Sequence, residues 1–214
     1  MTSNAIRSIR RKKSSLSEVK IVVLGAPGVG KSALTVRFLT KRFIGEYDHQ
    51  TENRYKNEIM VDNDPVIFEI VDTCPRNFTD FPREELLHWA DGFLLVYSII
   101  DKDSFTYIQE VRRLIQNYRP SSPGSSHPPC PIVVVANKAD LIHLRKVTFE
   151  QGEKLAKEVE ASFSEIAASE HVHQVADAFS ELFREVNVFR RRSKQSLLDR
   201  IKHGGKNSNK SDRK

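Results

Sequence analysis

An α/β fold, a mostly parallel sheet with helices on both faces, is predicted by three features of the 214-residue sequence. Short apolar runs rich in β-branched residues ("VKIVVLG", "GFLLVYSI", "PIVVVANK") read as strands buried on both sides, since a strand packed on one side alternates apolar with polar. Stretches of helical spacing separate them, and that alternation implies parallel β-α units. The length suits one domain with a real core, and ligands in such folds sit at the carboxyl ends of the strands.

Residues 1–17 form a basic arm, expected to be disordered, ahead of a domain at 18–190. The first strand, 19–25, stops at a glycine, and "GVGKSALTVRFLTKRF" follows with Leu34, Phe38 and Val29 on one helical face. "NEIMVD" and "PVIFEIVD" are strands around a turn of Asp62, Asn63, Asp64 and Pro65, all turn formers. Helices are expected at 83–89, 103–118, 148–159 and 172–189; the third opens with Thr148 and Gln151 at the offset of a capping box. "SFSEI" is a shorter strand. Between 119 and 131, "RPSSPGSSHPPCP" is too rich in Pro, Ser and Gly for regular structure and reads as a long surface loop, a tolerated insertion. Residues 191–214 form a second basic, disordered segment. Within it Leu197, Leu198 and Ile201 among Arg200 and Lys202 suit either a short amphipathic helix or an extension of the last helix.

The formal net charge of +6 resides at the ends. Residues 1–13 carry five Lys and Arg and no acid, and residues 190–214 carry ten against Asp199 and Asp212, leaving 19 basic and 26 acidic residues between them. Basic ends of this kind are commonly solvated; electrostatic contact with an anionic membrane, nucleic acid or an acidic partner are the alternatives. No apolar run approaches the roughly 18 residues of a membrane span. Two cysteines, Cys74 and Cys130, are too few for a disulfide framework, which favours a reducing compartment. No signal peptide or lipid-anchor motif is visible, so a cytoplasmic protein is expected, with the nucleus or the membrane surface as further locations.

"GAPGVGKS", from Gly25 through Gly28, Val29, Gly30 and Lys31 to Ser32, matches the phosphate-loop pattern G-x-x-x-x-G-K-[ST] between a strand and a helix. Its glycines let successive amides point inward at phosphates, Lys31 bridges the terminal ones, and the Ser32 hydroxyl suits Mg²⁺. A phosphate loop does not choose a base. "NKAD", with Asn137, Lys138 and Asp140, follows the strand "PIVVVA" and supplies a carboxylate able to accept the N1 and N2 hydrogens of guanine, which adenine does not offer.

With both motifs in place, the chain resembles a small GTPase of the Ras superfamily over roughly 19–190. "KSALTVRFLTKRFIGEYD" and "HWADGFLLVY" are most similar to the Ras-related, oestrogen-regulated growth inhibitor branch. The resemblance implies the P-loop NTPase fold with a six-stranded sheet and five helices. It also implies GTP and GDP with Mg²⁺ as ligands, hydrolysis to GDP and phosphate, and a monomer that signals through effector and regulatory proteins at 47–55 and 72–90. Residue by residue, it makes Phe43 the aromatic on the guanine edge, Ala33 part of the phosphate site and Asp72 the carboxylate holding Mg²⁺ through water. It makes Ala168 the alanine whose amide faces the guanine oxygen. The family's Ser-Ala-Lys at that loop is Ala167-Ala168-Ser169, which removes a hydroxyl and a lysine stem.

Departures gather around the terminal phosphate. The family's first-switch threonine, a Mg²⁺ ligand, is replaced by Gln50, with Thr51 one residue late; either the loop shifts by one or the ligand is lost. In the second switch a glycine amide bonds the terminal phosphate and a glutamine orients the attacking water. Those places hold Pro75, which has no amide, and Arg76, which carries only donors. Lys31 is the retained catalytic candidate and Arg76 the altered one, while Pro27 adds bulk to the phosphate loop. Slow hydrolysis is expected, with a nucleotide-bound scaffold or a basic-tailed adaptor as alternatives.

Overall fold

The computed structural model describes residues 16–44, 51–120 and 130–204, the last nine by backbone alone. The arm at 1–15, positions 45–50 with Gln50, the segment 121–129 and the chain beyond 204 lie outside the described residues.

Among those described, six strands form one sheet: β1 (Ser17–Leu24), β2 (Asn53–Val61), β3 (Asp64–Asp72), β4 (Gly92–Ser98), β5 (Ile132–Asn137) and β6 (Ser162–Ile166). The helices are α1 (Lys31–Thr40), α2 (Glu84–Trp89), α3 (Lys102–Tyr118), α4 (Phe149–Glu158) and α5 (Val172–Gly204), with a 3-10 turn at Ala139–Leu144. The strand order is β2-β3-β1-β4-β5-β6, and only β2 runs antiparallel to its neighbour. All strands but β2 therefore end at one edge of the sheet, where their following loops meet.

The expected four-residue turn between β2 and β3 is shorter in the structure. Asp62 and Asn63 adopt φ of 51° and 69°, and Asp64 already pairs with Val61. Two left-handed residues match the twist of a hairpin, and Asp and Asn tolerate that region better than other side chains. Arg184 of α5 grips the turn by a fork to the Asp62 carboxylate at 2.7 and 2.9 Å.

The layers follow from strand alternation. Tyr97 meets Phe105 of α3 edge-on at 5.0 Å, and its hydroxyl lies over Gly152 of α4, so α3 and α4 share a face. Gly92, an odd number of residues away, faces Leu182 and Val186 of α5 on the opposite side. There Phe38 of α1 stacks on Phe179 of α5 at 4.2 Å and meets Phe68 at 5.0 Å. The central strand β4 is buried along its whole length, as its unbroken apolar run predicts.

Local signals explain the helix ends. Asp101 caps α3 by accepting from the amides of Asp103 and Ser104, and Thr148 and Gln151 form the expected capping box on α4. α5 continues past residue 190 to Gly204. No proline or glycine stands between 172 and 203, so nothing in the chain stops the helix before that glycine. No helix among the described residues is long and apolar enough to cross a membrane.

Candidate functional site

The loop after β1 turns directly into α1, whose first turn has no side-chain cap and no acid. Its first amides are therefore available to an anion, and the helix dipole favours negative charge there. Two glycines fix the path. A Cβ on Gly25 would lie 2.2 Å from the Val96 carbonyl, and one on Gly30, whose φ is +96°, would lie 2.3 Å from Asn137 Nδ2. Val29 is buried, whereas Gly28 lies exposed at the rim.

Lys31 is 6% exposed and donates from Nζ to the carbonyls of Gly25 and Ala26 at 2.9 and 2.8 Å. Burial lowers its pKa to about 8, opposed chiefly by the charge of Asp72. A phosphate group is the natural counter-ion for such a buried, carbonyl-bound ammonium, so the loop suits one. A cavity of ≈140 Å³ is lined by Pro27, Gly28, Gly30, Lys31, Ser32 and Ala33 on one side and by Thr51, Thr73, Cys74 and Pro75 on the other.

Asp72, 2% exposed, ends β3 beside Val23 of β1. Thr73 next to it ties the following segment to β1 by donating from its hydroxyl to the Val23 carbonyl at 2.7 Å. No cluster of three or more His, Cys, Asp and Glu able to hold a metal occurs among the described residues. A Ser32 hydroxyl and one carboxylate suit Mg²⁺ that arrives with phosphates, since that ion is held by few protein ligands plus phosphate oxygens and water. Thr51 lines the same cavity although it stands one residue beyond the expected ligand position.

At the other end of the site Asn137, 2% exposed, joins two loops. Its Nδ2 donates to the Val29 carbonyl at 2.8 Å, and its Oδ1 accepts from the Ala168 amide at 3.2 Å. A guanine oxygen directed at that amide would have to share or displace this bond. Lys138 is left-handed at φ 65°, which turns the chain so that Asp140 stands exposed in the 3-10 turn. Arg145, just after that turn, forks onto Glu165 of β6 at 2.5 and 2.8 Å, holding the Asp140 loop to the strand that leads into buried Ala167 and Ala168. Phe43 is 44% exposed, and the Arg37 guanidinium lies 5.9 Å from its ring centre. Arg37 also donates to the Glu170 carbonyl at 3.2 Å, linking the end of α1 to the loop after β6.

Four loops from distant parts of the chain thus meet at the carboxyl edge of the sheet: a phosphate loop, an acid-bearing strand end, an Asn-Lys-x-Asp turn and an alanine loop. The family model for the Ras family matches residues 20–188. The chain belongs to the Ras family. It is 41% identical over 184 residues to the Ras-related and estrogen-regulated growth inhibitor of Homo sapiens, an overlap of 86% of this chain and 88% of that protein. It is 40% identical over 179 residues to the human Ras-like protein family member 11A, covering 79% of this chain and 71% of the relative. Ras-like protein 1 of Saccharomyces cerevisiae is 38% identical over 174 residues, 81% of this chain and 54% of the yeast protein. Ras-family proteins are small GTPases that bind guanine nucleotide with Mg²⁺, and the mostly parallel six-stranded sheet is the Ras-type P-loop fold.

Arg76 stands apart from the Ras-type phosphate site. It is exposed and lines an adjoining cavity of ≈640 Å³ with Asp80, Phe81, Arg83 and Tyr107, while Pro75 borders both spaces. Sequence reasoning did not single out Arg37, Arg145, Asp80 or Tyr107. Their signal is a long-range side-chain contact, which no local motif carries.

Proposed function

We propose that this Ras-family chain binds GTP and GDP with Mg²⁺, hydrolyses GTP slowly and discriminates weakly between the two nucleotides. In this reading Gly25, Gly28, Val29, Gly30, Lys31, Ser32 and Ala33 hold the phosphates, and Ser32 and Asp72, the latter through water, hold Mg²⁺. Asn137, Lys138, Asp140, Ala167, Ala168 and Phe43 hold the guanine. The bound ion would supply charge neutralisation at the terminal phosphates. Lys31 then stabilises negative charge as it develops there.

The observation that carries the slow step is Pro75 on the wall of the cavity that also contains Lys31 and Ser32. A proline there has no amide to offer a terminal phosphate. Arg76, which follows, has no acceptor with which to orient water and lies on the neighbouring space. Removing one transition-state contact of this type costs on the order of a hundred- to a thousandfold in rate.

Single-turnover phosphate release after loading with GTP is the test. Turnover about a hundredfold or more below that of a relative with the glycine and glutamine in place is expected. Equal rates would refute it. Signalling through partners at 47–55 and 72–90, a monomeric state, a cytoplasmic or nuclear location and electrostatic contact of the basic ends with an anionic membrane belong to the same reading. The alternative of a nucleotide-bound scaffold is favoured by the way the second-switch segment is fastened.

A further inference from the structure

The segment after Pro75 is closed upon itself. The Arg76 amide donates to Asp80 Oδ2 at 2.9 Å, and Asn77 Oδ1 accepts from both the amide and the hydroxyl of Thr79 at 2.9 and 2.8 Å. These bonds satisfy backbone donors locally, in the manner of Asx turns.

The closed segment is also fastened to α3. The Tyr107 hydroxyl donates to the Asp80 carbonyl at 2.7 Å. Phe81 stacks on the Tyr107 ring with centroids 5.3 Å apart and planes 11° apart, and Phe78 meets the ring edge-on at 6.4 Å and 80°. Tyr107 is only 5% exposed, whereas Phe78 and Phe81 are 43% and 38% exposed, so a buried anchor grips a surface segment. Burial, aided by the charge of Asp80, pushes the phenol up to about 12, which keeps its proton available for donation at any physiological pH.

A nucleotide can shift this segment only by bonding differently to its alternative positions. Pro75 removes the amide through which a terminal phosphate would do so, and the Arg76 amide is engaged by Asp80. We infer that Tyr107 is a positioning residue that holds 76–81 in one conformation whichever guanine nucleotide is bound, so that this segment does not report the state of the nucleotide. The inference rests on the proposed guanine-nucleotide binding.

Amide exchange of the full chain, loaded with GDP or with a non-hydrolysable GTP analogue, tests it by following the peptide that spans 76–83. In the native chain the two loaded forms agree within about twofold. Tyr107→Phe, which keeps the buried ring, speeds exchange about tenfold in both, the loss expected for one hydrogen bond to the closed form. Asp80→Ala, at an exposed position, gives a similar gain confined to the first residues of the peptide. Protection that changes about tenfold between nucleotides in the native chain, or that both variants leave unaltered, overturns the proposal. Nucleotide released on denaturation is quantified in parallel. A chain that holds no guanine nucleotide would sink the proposed function, while the effect of Tyr107→Phe would still be read.

Discussion

Asn137 donates from its side-chain amide to the Val29 carbonyl across 108 positions of sequence, at 2.8 Å. With its side-chain oxygen accepting from the Ala168 amide, it makes the phosphate loop and the alanine loop one unit. Asn137→Ala removes both bonds and strands two buried backbone groups. It should cost about 2 kcal/mol, which lowers the melting temperature of a chain this size by roughly 4–8 °C. Thermal unfolding of the nucleotide-free protein reads this without involving any ligand.

The buried ammonium of Lys31 gives the site a pH dependence. Its pKa of about 8 in the folded protein lies below the ordinary 10.5. The folded state therefore sheds the proton first, and the nucleotide-free protein gains stability from this group as pH rises through that window. A bound phosphate restores the charge, so binding takes up a proton above about pH 8, and affinity for GDP should weaken between about pH 7.5 and 9. Fluorescent-nucleotide titrations check this, and Lys31→Met should bind weakly and without that slope.

Two glycines of one loop differ in what they tolerate. A Cβ on Gly30 would lie 2.3 Å from Asn137 Nδ2, while one on Gly28, at φ +72°, meets nothing within 4 Å. Gly28→Ala should cost only the left-handed strain of about 1–2 kcal/mol. Gly30→Ala should cost more, because Asn137 must also shift, and should weaken nucleotide binding. Comparing the unfolding temperatures and nucleotide affinities of the two variants tests the order.

Arg76→Gln alone should raise single-turnover hydrolysis by less than about tenfold, because Pro75 still lacks the phosphate-binding amide. The double change Pro75→Gly with Arg76→Gln should raise it more than the two single changes combined, since residues that act as a unit are not additive. A large gain from Arg76→Gln alone would show that the proline matters little.

Much of the fold was legible because each strand carries its burial in its composition. "GFLLVYS" and "IVVVAN" are buried throughout, and "SFSEI" runs over Ser162–Ile166 as read. The phosphate loop and the Asn-Lys-x-Asp turn were legible because their chemistry is local. The tightness of the Asp62-Asn63 turn was missed because Pro65 suggested a longer break, although a proline is tolerated near the start of a strand. Asn137 as a bridge, Arg145 on Glu165 and the grip of Tyr107 on Asp80 were not legible. Each joins segments well apart in the sequence, and only the folded arrangement of helices, strands and loops brings them together.

Arg190 of α5 donates to the Glu18 carbonyl at 2.8 Å and pairs with Asp91 at 2.7 Å. The start of β1 and this point of α5 are therefore neighbours, at the edge of the sheet opposite the phosphate loop and, at about 3.3 Å per strand residue, roughly 23 Å from it. The two basic ends, together +13, attach at that pole, while the body between them carries −7. The chain thus joins its basic ends to an acidic body on the side of the sheet away from the phosphate loop, so their charge enters the fold where it least perturbs a site that must hold phosphates.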